Sequence, residues 1–452
     1  MLKAGERNET GLKRNISLFQ AVMYGVGLIL GAGIYVLIGD VAGVAGNVMW
    51  ISFAIAAIIA TFTGLSYAEL TSIFPKSAAE YVFVKNAFGS NLAASVTGWL
   101  ITFVAIASAA AVSIGFSGYL ANFVPQVHPI LSAIVLVAAL SAVNFIGIRE
   151  SVWMNTTFTL VELAGLAIII AAATMFGSFA EVDYYEMPPA ASGSFSLSVG
   201  AILAAAGLVF FAYFGFENLA NISEETKNAT KTIPRALVLS ILITTAIYIA
   251  IAISAVALAG WEELSLSEAP LALAAEKAFG KTGVTILSAI ALFATSNTVL
   301  MMLVAGSRIM FGMARYRALP AALGRVHPVA KTPWIAIVTT MAVTISVIVL
   351  SGGSIFVVAN IAVFVIFIVY ALVNLSLIWL RYKQPGLERP FKSPIRVGWF
   401  PVLAGLGFAT SIAMLTQFDS ITMIAGVGTI AIGLISNVVI GRHRDIQRRN
   451  SG

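Results

Sequence analysis

The chain has 452 residues, of which 59% are hydrophobic and only 10% are charged, and its mean hydropathy is +0.96. A soluble domain carries charge on roughly a quarter of its residues, so this composition excludes a soluble protein and predicts a polytopic protein of the lipid bilayer. The formal net charge is +6, but the basic residues lie between hydrophobic runs, which argues against nucleic acid as a partner. The absence of cysteine excludes a disulfide-linked subunit.

Twelve hydrophobic runs approach the length needed to cross a bilayer, about 20 mostly apolar residues. Clusters of proline, glycine and charged residues separate the runs. The sequence therefore predicts an all-α membrane protein with 12 transmembrane helices. The predicted spans are 16–39, 47–70, 92–118, 129–147, 153–176, 197–222, 236–259, 281–306, 334–351, 355–380, 398–417 and 421–441.

The basic residues predict the orientation of these spans. If the N-terminus is cytoplasmic, 24 of the 26 Lys and Arg residues lie in cytoplasmic segments, and only Lys277 and Lys281 lie outside. Cytoplasmic loops of membrane proteins carry an excess of Lys and Arg, and a shift by one span would destroy this asymmetry. We therefore predict a multi-pass protein of the cell membrane with both termini in the cytoplasm.

The first span is interrupted by small residues at Gly31, Ala32 and Gly33. Free backbone groups at membrane depth are tolerated only where protein or a solute-filled cavity surrounds them. The half-helix after the break presents free N–H groups that suit a carboxylate, and the half-helix before it ends in carbonyls that suit an ammonium. An amino acid matches both ends. Gly27 and Gly31 also form a GxxxG packing pattern, so these glycines alone leave binding and packing open.

A second interruption lies in the sixth span, where residues 211–217 combine aromatic side chains, a glycine and a carboxylate. Interrupted spans in corresponding positions of two halves of a chain are the best sequence indication of a secondary transporter's binding site. The carboxylate, Glu217, lies in the cytoplasmic half of the span. It is predicted either to line the inner pathway or to pair with a polar neighbour.

Further motifs occupy residues 29–35, 66–70, 75–81, 211–217 with 224–228 and 232–235, and 315–320. These segments resemble the amino acid–polyamine–organocation (APC) superfamily, and within it the prokaryotic relatives of cationic amino acid transporters. The resemblance implies a leucine-transporter-like fold, with a five-plus-five inverted repeat, discontinuous helices 1 and 6, and two additional helices. One departure is Ala78-Ala79, where many relatives have two glycines.

The implied fold divides the chain into four parts. They are a cytoplasmic N-terminal segment (1–15), a transport core (16–380, with repeats at 16–176 and 197–380), two additional helices (398–441) and a cytoplasmic tail (442–452). The resemblance also implies that amides of the first break bind the substrate carboxylate, that carbonyls near both breaks take the ammonium, and that Phe211 gates the site. The implied substrate-binding residues are Ile29, Gly31, Ala32, Gly33, Phe211, Ala212, Tyr213 and Phe214.

Glu162 is an ionisable residue inside the fifth span, which makes it a functional hypothesis by default. Proton-coupled relatives carry a lysine at the matching position, so this chain inverts the charge there. Three interpretations stay open. A protonated Glu162 takes the lysine's role by hydrogen bonding, or an ionised Glu162 holds Na⁺ with carbonyls of Gly27 and Leu30 and a hydroxyl of Thr295 or Ser296, or Glu162 is structural in a uniporter or exchanger. H⁺ is the predicted coupling ion.

The substrate's side-chain pocket is predicted from the third span, which helps form it in relatives. Residues 105–111 of that span contain no carboxylate to pair with a cationic side chain. A small or medium neutral amino acid is therefore the predicted substrate, and a cationic one is the alternative.

Other classes of protein are disfavoured by what the sequence lacks. The three histidines lie in separate polar segments, and there is no HExxH motif or nucleophile elbow, so we predict no enzyme, cofactor or metal site. A channel needs a continuous polar lining, whereas polar residues here concentrate at the breaks. A scaffold or accessory membrane subunit stays open as an alternative.

Overall fold

The computed structural model describes residues 14–450 except 122, 125, 127, 268, 354, 417 and 419, and it leaves out the side chains of 32, 36, 148, 149, 211, 355–357 and 436–450. The predicted N-terminal segment 1–15 therefore lies outside the described residues apart from its last two. The predicted tail 442–452 is described only as backbone, and only to residue 450.

The described residues form α-helices joined by short connections. The helices are α1 (Leu18–Ala45), α2 (Met49–Ile73), α3 (Ala79–Phe88), α4 (Asn91–Ala121), α5 (Pro129–Ile146), α6 (Ile148–Phe176), α7 (Pro189–Ser192), α8 (Phe195–Tyr213), α9 (Asn218–Asn221), α10 (Ala229–Leu266), α11 (Pro270–Arg315), α12 (Trp334–Leu350), α13 (Ile355–Lys383), α14 (Val402–Leu415) and α15 (Ser420–Asn450). Three 3₁₀ turns cover Gly46–Val48, Ser223–Glu225 and Ala321–Gly324. Strands β1 (Arg396–Val397) and β2 (Phe400–Pro401) form an antiparallel hairpin.

Within the described residues, eight helical stretches are long and apolar enough to cross a membrane, and four shorter apolar helices of 10–17 residues accompany them. Many of their apolar side chains face outward, as lipid-facing surfaces require. The structure is therefore that of an all-α polytopic membrane protein, as the composition predicts.

Helix α1 occupies the centre of the fold, where it contacts α6, α8, α10 and α11. A capping box fixes its start, since the Ser17 hydroxyl accepts from the Gln20 amide (3.3 Å) and the Gln20 side chain accepts from the Ser17 amide (3.0 Å). Just before it, Ile16 pairs with Thr226 in a parallel bridge. The entry to α1 is thereby fastened to the segment that follows α9.

The connection between α2 and α3 contains an alanine in a left-handed conformation. Ala78 has φ 56° and ψ 50° and is fully buried. The left-handed region costs an L-residue other than glycine roughly 1–2 kcal/mol. The resemblance places glycine here in many relatives, and the alanine of this chain stores backbone strain at the position.

This strain predicts different stabilities for two neighbouring substitutions. Ala78→Gly and Ala79→Gly each remove one buried methyl group, but only Ala78→Gly relieves a positive φ. We expect Ala78→Gly to be the more stable of the two variants by about 1–2 kcal/mol. Thermal unfolding in detergent checks the difference, and equal unfolding temperatures for the two variants would contradict it.

Candidate functional site

The first helix break lies at Gly31. This residue has φ 24° and ψ −152°, inside an otherwise helical α1. A Cβ at this position would overlap the Thr298 hydroxyl of α11. Both the backbone conformation and the space therefore require glycine, and the helix resumes after it.

The second break follows α8, which ends at Tyr213. Residues 214–217 form turns before α9 begins at Asn218. Gly215 has φ 124°, a conformation open mainly to glycine. Its amide donates to the Glu217 carboxylate (3.0 Å). A side chain of the same turn therefore satisfies this backbone N–H group.

The two breaks touch each other directly. A Cβ on Gly33 would lie 2.7 Å from Cα of Ala212. In return, a Cβ on Gly215 would lie 3.1 Å from the carbonyl oxygen of Leu28. Each break therefore carries a glycine where the other approaches, which supports the packing interpretation, and the binding interpretation stays a prediction.

A small cavity lies beside this contact. Its lining combines both breaks with side chains from α4 and α11, namely Leu28, Ile29, Gly33, Ser108, Val112, Ala212, Phe214, Thr298 and Met302. Four of the residues predicted for the substrate site are among them. The additions are Leu28, Ser108, Val112, Thr298 and Met302, although Ser108 lies in the segment 105–111 that the sequence marks as part of the side-chain pocket.

Other predicted site residues lie around the cavity or away from it. The hydroxyl of Tyr213 points toward α2 and α10, where it contacts the Phe53 carbonyl (3.4 Å) and the Thr245 hydroxyl (3.3 Å). The side chains of Ala32 and Phe211 lie outside the described residues, so only their backbones can be placed at the breaks.

Tyr248 of α10 joins the carbonyl ends of both breaks. Its buried hydroxyl contacts the carbonyl oxygens of Ile29, of Leu30 (3.2 Å) and of Ala212 (3.0 Å). A phenol has one proton to donate, so three acceptors share one donor. The carbonyl oxygens of two helices therefore have lone pairs that the tyrosine does not use. A group with several hydrogen-bond donors could bind to them. Nothing in the apolar sequence around Tyr248 marks it for this position.

A polar cluster surrounds Gly27, one turn before the break. A Cβ there would overlap the Thr159 hydroxyl and would lie 2.8 Å from Nδ2 of Asn297 and 2.9 Å from Oδ1 of Asn155. Asn297 donates to the Thr159 hydroxyl (3.1 Å), and Asn155 donates to the Met23 carbonyl (3.2 Å). The three side chains come from α6 and α11, and sequence reasoning singled out none of them.

Glu162 lies one turn beyond Thr159 on α6 and is fully buried. Its main-chain carbonyl accepts from the Tyr35 hydroxyl (3.4 Å), but neither carboxyl oxygen has a hydrogen-bond partner within the described residues. Thr159 and not Glu162 packs against Gly27, and the Thr295 hydroxyl donates back to Ala291 of its own helix (2.8 Å). Ser296, the other predicted hydroxyl, is the neighbour of Thr295 on α11.

The described residues contain no group of three or more His, Cys, Asp or Glu side chains able to hold a metal ion.

Glu217 is paired with polar neighbours. Its carboxylate accepts from the Tyr370 hydroxyl (2.7 Å), from the Asn218 side chain (3.1 Å) and from the Gly215 amide. Tyr370 also stacks on Phe216 at 5.4 Å. The residue thereby links the second break to α13.

Buried polar contacts also fasten the segments that follow α2 and α9. The amide of Ala79 donates to the Asn221 side chain (2.9 Å), which in turn donates to the Glu80 carboxylate (3.3 Å). Nearby, Arg308 pairs with Glu225 at 3.2 Å. These contacts tie α3, α9 and α11 together at one end of the bundle.

Glu80, which lies in α3 outside the spans, generates a prediction on pH. Burial raises the pKa of the Glu80 carboxyl to about 8. In the unfolded state the pKa of a glutamate is roughly 4.3, so the folded state holds this proton to a higher pH. The resulting contribution to the free energy of unfolding is present in full at low pH and is lost as pH rises toward 8. We expect the unfolding temperature to fall between about pH 5 and 8 and Glu80→Gln to flatten that slope. An unchanged slope in Glu80→Gln would contradict the assignment.

Comparison with known proteins gives the family. A family model described as amino acid permease matches residues 16–436. The chain is 29% identical to the branched-chain amino acid permease BcaP of Bacillus subtilis, over 96% of this chain and 94% of the relative. It is 28% identical to the serine/threonine exchanger SteT of the same organism, over 94% and 96%.

A plant relative is similar over a shorter range. The chain is 30% identical to the chloroplastic cationic amino acid transporter 9 of Arabidopsis thaliana, over 70% of this chain and 58% of the relative. The family and these relatives are transporters and not enzymes. The match over nearly the whole chain, together with two contacting helix breaks beside a cavity, identifies the protein as an amino acid permease of the APC superfamily.

Proposed function

We propose that the chain is a secondary active amino acid transporter of the cell membrane that works by alternating access. The proposed architecture has twelve transmembrane helices, with inverted repeats at 16–176 and 197–380, two additional helices at 398–441 and cytoplasmic termini. The observation that carries the proposal is the reciprocal contact of the two breaks, Gly33 on Ala212 and Gly215 on Leu28, beside one cavity.

The proposed substrate orientation follows from the backbone polarity at the breaks. Free amides at the start of the second half of α1, around Gly31, Ala32 and Gly33, suit the carboxylate. Carbonyls of Ile29 and Ala212, which converge on the Tyr248 hydroxyl, suit the ammonium, whose several donors can serve acceptors that a single phenol proton cannot. Carbonyls near Phe211 and Phe214 are further proposed acceptors.

The proposed substrate is a small or medium neutral amino acid. The cavity lining combines apolar Val112 and Met302 with hydroxyls of Ser108 and Thr298, and it includes no ionisable side chain. Relatives named for branched-chain amino acids and for serine and threonine are consistent with such a pocket. A cationic substrate is the alternative, supported by the plant relative.

The proposed coupling ion is H⁺, bound at Glu162. The support is a fully buried carboxyl group whose oxygens lack hydrogen-bond partners within the described residues, one turn from the cluster at Gly27. A protonated carboxyl can donate as well as accept. Coupling to Na⁺ through Gly27, Leu30, Thr295 or Ser296, and obligate exchange, are the alternatives.

Uptake into liposomes that contain the purified protein tests the proposal as a whole. Saturable uptake of a radiolabelled neutral amino acid, competed by unlabelled substrate, is the expected result. Flux that does not saturate would contradict a carrier, and no flux with any amino acid would favour the other class, a scaffold or accessory subunit. A proton gradient, a sodium gradient and internal amino acid, imposed one at a time, separate the coupling modes.

Substitution of Tyr248 gives the first prediction on the site. Tyr248→Phe keeps the ring and its edge-to-face contacts but removes the hydroxyl that serves carbonyls of both breaks. We propose that this hydroxyl orients the carbonyls for the ammonium. A hydrogen bond of this kind is worth about 1–3 kcal/mol when it is lost, so we expect the uptake efficiency kcat/KM to fall by roughly tenfold or more. Tyr213→Phe is the matched control, because its hydroxyl lies away from the cavity. An equal loss in both variants would contradict the role of Tyr248.

Substitution of Glu162 gives a second prediction, on proton coupling. Glu162→Gln preserves size and removes the titrating proton, so we expect it to abolish accumulation driven by a proton gradient. Exchange of external for internal amino acid, which needs no net proton movement, is expected to persist. Proton-driven accumulation that survives in Glu162→Gln would exclude this residue as the coupling site.

A further inference from the structure

The hairpin between α13 and α14 exposes apolar side chains. Ile395, Val397 and Trp399 are 63%, 72% and 49% exposed. The hairpin lies between α13, which is apolar and long enough to span a membrane, and the shorter apolar α14. An exposed apolar patch of this kind marks a surface that contacts a membrane or a partner.

Aromatic contacts join the hairpin to the end of α13. The ring of Tyr382 lies 5.0 Å from that of Trp399 and 6.3 Å from that of Trp379. The ammonium of Lys383 lies over both α13 rings, 5.4 Å from Trp379 and 5.6 Å from Tyr382. Tryptophan and tyrosine with a cation beside them are typical of the membrane–water interface.

The charge of this segment is positive. Lys383, Lys392 and Arg396 are exposed, and none of them forms an ion pair in the part of the chain that the structure describes. Between residues 382 and 400 the sequence contains a single acid, Glu388. Apolar groups flanked by unpaired cations are complementary to a lipid that carries both acyl chains and a negative headgroup.

A buried carboxylate fastens the base of this surface to the bundle. Glu69 at the end of α2 accepts from Nε of Arg381 (3.0 Å) and from the amide of Ser393 (2.7 Å), and it pairs with Arg389 at 3.3 Å. Arg389 also donates to the carbonyl of Leu380 on α13 (3.2 Å). The hairpin is therefore held in a fixed position relative to α2 and α13.

We propose that residues 382–400 form a binding surface for anionic phospholipids of the adjoining leaflet. Lys383, Lys392 and Arg396 contact the headgroup, while Val397 and Trp399 enter the region below it. The proposed topology makes this the cytoplasmic leaflet, whose anionic lipids match the charge of the surface. Glu69 fastens this surface to α2 and α13, so bound lipid contacts a surface that is fixed to the bundle.

Quenching of tryptophan fluorescence tests the proposal without any need for transport. The full chain is reconstituted in phosphatidylcholine vesicles that contain a minor, equal fraction of brominated phosphatidylglycerol or brominated phosphatidylcholine. The signal of Trp399 is the difference between the protein and its Trp399→Phe variant. The expected result is stronger quenching by the brominated anionic lipid.

Two triple variants of equal charge change identify the cause. Lys383→Gln, Lys392→Gln and Arg396→Gln together are expected to reduce the preference for the anionic lipid by roughly tenfold or more, since each basic residue near an anionic surface contributes on the order of fivefold. The control combines Arg317→Gln, Arg325→Gln and Lys331→Gln, which are exposed elsewhere on the same predicted side, and it keeps the preference. Equal quenching by both lipids, or the same loss in the control, would overturn the proposal.

Discussion

Backbone groups that lose their helical partners inside a membrane must find others, and this constraint shapes the centre of the protein. Gly31 interrupts α1, and the turns after Tyr213 end α8, both within apolar stretches of the chain. The carbonyls of Ile29, Leu30 and Ala212 converge on one tyrosine hydroxyl, and the Gly215 amide turns to the carboxylate of Glu217. The helices around α1 are therefore arranged to meet these unsatisfied groups as well as to bury apolar surface.

The same constraint explains why small residues recur along α1. At Gly27, Gly31 and Gly33 an added Cβ would overlap polar side chains or the backbone of the second break. These glycines allow close packing, and we propose that the same close packing forms the binding site. Close approach brings the polar groups together, and the convergence of those groups creates a place where an amino acid's two charged ends could both be satisfied.

The sequence was sufficient for the class of fold and for the places where helices break. Long apolar runs require helices in a bilayer, and glycine within such a run marks an interruption because its effect on the backbone is local. Tyr248 could not be found in this way, since it is a single phenol in an apolar stretch and its position depends on how α10 crosses α1. Thr159 and Glu162 illustrate the same limit. The sequence singles out Glu162 because it is an ionisable residue in an apolar span. In the structure, however, Thr159, three residues earlier, packs against Gly27.

We propose that the two breaks form one amino acid site, and a structure determined with a bound amino acid is the most direct test of it. We expect the carboxylate of the ligand within hydrogen-bond distance of amides at residues 31–33. We expect the ammonium within reach of the carbonyls of Ile29 and Ala212, and the side chain toward Ser108 and Met302. An amino acid bound elsewhere in the bundle, or bound at the breaks with its two charged ends reversed, would contradict it.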